Sequence, residues 1–163
     1  MFRLKWLVVL AWVFIIVQPS FADDDRAKFL GVWKVVSYEI ETQSTGERSP
    51  VWGKNPPGYV IFTSEGRAMW LIEKEGRKMA QTNEERVVLY QTMIAYTGIY
   101  RFEGDKFITK IDASWNPAWM GTDQVRFYKL EGDRLYIITA WAQNTLVTNG
   151  PVTRGIVTYE RAK

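Results

Sequence analysis

Two short stretches of the chain are near copies of each other: Glu103-Gly104-Asp105-Lys106, between Phe102 and Phe107, and Glu131-Gly132-Asp133-Arg134, between Leu130 and Leu135. Glycine in a two-residue turn supplies the positive φ that a tight hairpin demands. Ser64-Glu65-Gly66-Arg67 is a third turn of this kind. The segments between turns alternate, or are rich in β-branched and aromatic residues, as strands are. Together these signals predict eight strands, near Gly31–Glu41, Tyr59–Ser64, Arg67–Glu73, Thr97–Glu103, Lys106–Trp115, Thr122–Glu131, Arg134–Trp141 and Arg154–Arg161. One segment departs from the pattern. Thr82-Asn83-Glu84-Glu85 reads as a capping box, and Val87, Tyr90 and Ile94 follow on one helical face. That predicts a single helix of about three turns between the third and fourth strands. The fold expected is all-β, an eight-stranded up-and-down barrel, because closure removes the sheet edges and eight strands leave room for one small ligand. An open sandwich is the alternative.

The two Glu-Gly-Asp turns also set a register. Phe102 faces Phe107, so Tyr100 faces Thr109 and Gly98 faces Ile111; likewise Leu130 faces Leu135, Tyr128 faces Ile137 and Arg126 faces Thr139. Period-two alternation then carries one face through Tyr96, Gly98, Tyr100, Phe102, Phe107, Thr109, Ile111, Ala113 and Trp115. Its counterpart carries Gln124, Arg126, Tyr128, Leu130, Leu135, Ile137, Thr139 and Trp141. Both are read as interior, apolar near the turns and more polar toward the other end. Apolar walls with a few convergent polar groups are the make-up of a small-molecule pocket.

Composition narrows the chemistry. The chain has no cysteine and no histidine, which excludes thiolate nucleophiles, disulfides, histidine triads and cysteine- or histidine-ligated metals. No cofactor is expected. Arg3 and Lys5 precede an apolar run, Trp6 to Val17, followed by Pro19 and Ser20-Phe21-Ala22. This is the pattern of a secretory signal peptide cleaved after Ala22, and the run is too short to span a bilayer, so no stable membrane span is expected after cleavage. A domain over 23–163, periplasmic or secreted, is the expectation. Removing the leader takes 21 basic residues to 19, against 18 acidic. That balance gives no reason to expect nucleic acid.

Several stretches taken together resemble a known family. Gly31-Val32-Trp33 is similar to the Gly-x-Trp signature of lipocalins. Ala95-Tyr96-Thr97-Gly98-Ile99-Tyr100, Pro117-Ala118-Trp119-Met120-Gly121-Thr122-Asp123-Gln124-Val125-Arg126, the two Glu-Gly-Asp turns and Tyr159-Glu160-Arg161 resemble the bacterial lipocalin-like domain family. The resemblance implies an eight-stranded barrel that binds a small hydrophobic or amphipathic molecule. Relatives often carry histidines where Thr109 and Lys110 stand, so histidine chemistry does not carry over. The closing motif more usually begins with Trp where this chain has Tyr159.

The candidate ligand-binding residues are Arg126, Gln124, Tyr128, Tyr96, Tyr100, Trp115, Trp141 and Trp52. A guanidinium inside a barrel needs a partner. That partner is either a ligand anion, held with help from Gln124 or Tyr128, or an internal group such as Glu73, Glu160 or a backbone carbonyl. Trp52, Trp115, Trp119 and Trp141 either rim a mouth or pack the core, and Tyr96 and Tyr100 either touch ligand or are core tyrosines. Trp33 and Arg161 are expected to meet as a cation–π pair at the closed end. Two other readings stand beside ligand binding: an enzyme (isomerase, cyclase or hydratase) acting on such a molecule, and a structural or partner-binding envelope protein with a solid core. No catalytic pair is visible.

Overall fold

The structure, a computed structural model, describes residues 27–143 and 150–163. The expected leader, residues 1–22, lies outside them. The strands are β1 (Gly31–Thr42), β2 (Arg48–Pro50), β3 (Gly58–Phe62), β4 (Arg67–Glu73), β5 (Met93–Glu103), β6 (Lys106–Ser114), β7 (Asp123–Glu131), β8 (Arg134–Ile138), β9 (Ala142–Gln143) and β10 (Val152–Arg161). Helix α1 (Asn83–Gln91) lies between β4 and β5, and a single 3-10 turn (Pro117–Trp119) between β6 and β7. The eight long strands form one antiparallel sheet in which β1 also pairs with β10, so the sheet closes into a barrel. The short β2 and β9 are appended to β1 and β10.

The connections sort by length. Tight turns link β3 to β4, β5 to β6 and β7 to β8, all at one end. The long connections gather at the other end: residues 43–57, 74–92 and 115–122, with the described parts 139–143 and 150–151 of the last one. The closed end is sealed from below by residues 27–29, a helical turn whose Phe29 is fully buried. Its ring meets Phe62, Phe102 and Tyr128 edge-on at 5.0, 5.0 and 4.9 Å. The Trp33 indole N–H donates to the Phe29 carbonyl at 2.8 Å. Arg161 lies over the Trp33 ring at 4.2 Å and donates to the carbonyls of Leu30 and Lys28. The last strand thus ties the N-terminal turn to the barrel floor.

Both hairpin registers are as read from the sequence: Phe102 opposite Phe107, Tyr100 opposite Thr109, Leu130 opposite Leu135 and Tyr128 opposite Ile137. Two bulges change what lies farther along the strands. In β6 the register skips Asp112, so Ala113 pairs with Thr97 and Ser114 with Tyr96. Ala113 is therefore exposed, and Trp115 leaves the inner face expected for it. A surplus residue reverses the side on which every later side chain falls. In β1 the register skips Val36, between Val35 opposite Tyr159 and Ser37 opposite Thr158. Gly98 marks the first bulge, where a Cβ would come within 2.1 Å of the Lys110 carbonyl oxygen.

The helix differs from its expectation in position and in packing. Counted over the long strands it follows the third, but the short β2 puts it between β4 and β5, and a further helical turn precedes β1. The capping box is present, with Thr82 accepting from the Glu85 N–H. The expected face does not form. Val87 and Tyr90 are exposed, and Ile94 belongs to β5, where it pairs with Ile72. Ladder hydrogen bonds to β4 and burial of Ile94 inside the barrel outweigh one more helical turn. The eighth predicted strand start, Arg154, moves back to Val152, and β8 ends at Ile138 where Thr139 and Gly155 exchange hydrogen bonds through the Thr139 N–H and hydroxyl.

Candidate functional site

The closed half of the barrel is filled. Phe62, Trp70, Phe107, Tyr100 and Leu135 are buried there, with Phe62 edge-on to Trp70 and Tyr100. Toward the open end a cavity of about 50 Å³ remains, lined by Tyr38, Trp70, Ile72, Ile94, Tyr96, Trp119, Arg126, Ile137, Thr139, Gly155, Val157 and Tyr159. Its walls are apolar except for one guanidinium, three phenols and Thr139.

Two of these phenols owe their place to register. Strict alternation from Trp33 and Val35 would turn Ser37 and Glu39 inward; the surplus Val36 brings Tyr38 inside instead. Tyr159 sits opposite Val35 on β10 and is 1% exposed. Tyr96 on β5 stacks on Trp70 of β4 at 4.4 Å and 16°. Arg126 comes from β7, half-buried, with Nη1 donating to the Val125 carbonyl at 2.8 Å and Nη2 to Gln124 Oε1 at 3.1 Å.

The electrostatics of this group follow from burial. Desolvation pushes the hydroxyls of Tyr38, Tyr96 and Tyr159 above the ordinary phenol range, Tyr159 most of all, and the Arg126 charge pulls each back in part. The three phenols are therefore neutral donors at ordinary pH. Among the described residues no carboxylate pairs with Arg126: Glu73 holds Arg77, and Glu160 is exposed. Of the internal partners considered from the sequence, only a backbone carbonyl is found. The Tyr38 and Tyr159 hydroxyls have no hydrogen-bond partner among the described residues, and both residues line the cavity.

A family profile for a lipocalin-like domain matches residues 30–162. The chain belongs to this lipocalin-like domain family. The match takes in all ten strands, α1 and the whole cavity lining. No curated protein matches the chain.

Within this lipocalin-like domain the residues expected at the site are distributed as follows. Arg126 and Tyr96 line the cavity, and Gln124 orients Arg126. Trp52 borders it, edge-on to Tyr38 at 5.2 Å, because its loop is pinned where Glu75 accepts from the N–H groups of Lys54 and Asn55. Tyr100 lies deeper, in the packed half, beside Phe62. Tyr128 is at the closed end among Phe29 and Phe102 and does not share a site with Arg126. Trp115 packs on Trp119 at 4.8 Å and lies beside Met69 and Leu71 on the outer wall. Trp141 lies at the rim beneath the Arg154 guanidinium, 4.4 Å from its ring centroid, and does not line the cavity. Tyr38 and Tyr159 were not anticipated. Tyr38 is hidden by the bulge, whereas Tyr159 stands in the closing motif and alternates with Arg161 on the face that covers Trp33, a signal that could have found it.

Proposed function

We propose that this is an exported lipocalin-like protein that binds a small hydrophobic or amphipathic molecule at the open end of its barrel, with an anionic group of that molecule directed at Arg126. One observation carries the reading: a guanidinium faces the cavity without a carboxylate partner among the described residues, beside phenols that lack partners of their own. A cation so placed is costly unless something completes its coordination. Export rests on the leader pattern of residues 1–22. Native mass spectrometry of protein purified from the exported fraction of its own host tests the proposal. A mass above that of the polypeptide is expected, and the adduct should vanish in Arg126→Ala. A bare polypeptide in repeated preparations, with binding to no lipophile added afterwards, would count against it.

The cavity size favours a second reading. Ligand pockets for drug-sized molecules run to roughly 300–1,000 Å³, and about 50 Å³ is far below that. An envelope protein with an essentially packed barrel fits that number. The same measurement separates the two, since a packed barrel carries no adduct in either the parent protein or the variant.

A further inference from the structure

The size, charge and donor count of the cavity restrict the chemistry of what can enter it. A volume of about 50 Å³, at roughly 10–15 Å³ for each water-sized body, holds about four non-hydrogen atoms. A carboxylate with its first carbon has that number; a phosphate monoester head is larger. The charge count points the same way, because one guanidinium and three neutral phenols balance a single negative charge. Of the five guanidinium N–H groups, Val125 and Gln124 take two. Three remain, enough for a bidentate pair with a carboxylate. Tyr38 and Tyr159, without partners among the described residues, add two hydroxyl donors for the remaining lone pairs. The rest of the lining includes Ile72, Ile94, Trp119 and Val157, which suits a hydrocarbon chain.

We infer that the ligand is an aliphatic or similarly apolar monocarboxylate, bound head first, its carboxylate on Arg126 with Tyr38 and Tyr159 and its tail lying in the mouth between Ile94, Trp119 and Val157. This rests on reading the barrel mouth as the ligand site. An alcohol of the same length leaves Arg126 uncompensated while its tail desolvates the mouth. A phosphate monoester brings a second negative charge that no group here neutralises, and a head that overfills the space.

Octanoate, octanol and octyl phosphate, one tail with three heads, are titrated calorimetrically into the protein at about pH 8, where the phosphate is a dianion. Octanoate is expected to bind roughly ten- to a hundredfold more tightly than octanol, the range for charge-assisted hydrogen bonds, and more tightly than octyl phosphate. In Arg126→Gln the preference for octanoate over octanol should collapse to about onefold. Tyr159→Phe should weaken octanoate about fivefold, one neutral hydrogen bond's worth. Equal affinity for octanol and octanoate would overturn the carboxylate assignment and leave the mouth standing as the binding site. Octyl phosphate binding as well as octanoate would overturn the single-charge argument. If none of the three binds at about 1 mM to protein with intact near-ultraviolet circular dichroism, the mouth is not a site and both conclusions fall.

Discussion

Phe29 offers a sharp test of how the barrel is sealed. It lies before the first strand, on a helical turn, yet it is fully buried, and its ring meets Phe62, Phe102, Phe107 and Tyr128 at centroid distances of 4.9–5.8 Å. Truncating a buried phenylalanine costs about 3–5 kcal/mol through lost transfer energy and the void left behind. Here the surrounding rings come from β3, β5, β6 and β7, held by ladder hydrogen bonds around a closed barrel, so they have little freedom to collapse into the space. The upper part of that range, about 4–5 kcal/mol, is expected for Phe29→Ala, a large share of the roughly 5–15 kcal/mol that stabilises an ordinary domain. With a urea slope of about 2 kcal/mol/M, the midpoint should fall by about 2 M at unchanged slope. Phe29→Leu, which keeps most of the volume, should cost less than about 1.5 kcal/mol. A midpoint shift for the alanine variant smaller than about 0.5 M would show that the turn does not plug the barrel, and the account of the closed end would be wrong.

Two further outcomes follow from buried oxygens. The Thr109 hydroxyl is fully enclosed and has no hydrogen-bond partner among the described residues, so Thr109→Val, which keeps the shape, should raise stability by about 1 kcal/mol in urea denaturation; a loss of stability would mean that the hydroxyl has a partner in solution. The buried phenols of Tyr38, Tyr96 and Tyr159 titrate above their ordinary value, so their contribution to stability is complete below about pH 10, the unfolded-chain value, and is lost as pH rises through the folded values. The urea midpoint should decline as pH rises above about 10, less steeply in Tyr159→Phe, and equal slopes for the two proteins would refute the assignment.

Much of the barrel was legible because the two Glu-Gly-Asp turns are local devices that fix register at once. Every second residue next to them, Phe107, Thr109 and Ile111 on one strand and Leu135 and Ile137 on another, lies on the inner face as alternation requires. Alternation fails where a strand carries a surplus residue, and Val36 does not differ in type from an ordinary strand residue. The site suffers more than the fold, because the two bulges decide which later side chains face the cavity. Tyr38 was thereby missed and Trp115 wrongly placed inside. Arg126 was legible because its cross-strand distance from the Leu130–Leu135 turn is short. That no acid among the described residues pairs with it is a long-range fact, set by where Glu73 and Glu160 end up. The helix was recognised by its cap, but the strength of the β4–β5 ladder that takes Ile94 away from it is not encoded in helical periodicity.

Closure through β1 and β10 has a consequence for a chain still under synthesis. The first long strand leaves the ribosome with one flank bare, and its mate is translated only after all the others. Until then the nascent polypeptide has no finished ring to lock it, and pairings between such distant stretches form slowly. That delay leaves a window in which the chain is still an open ribbon with two bare flanks.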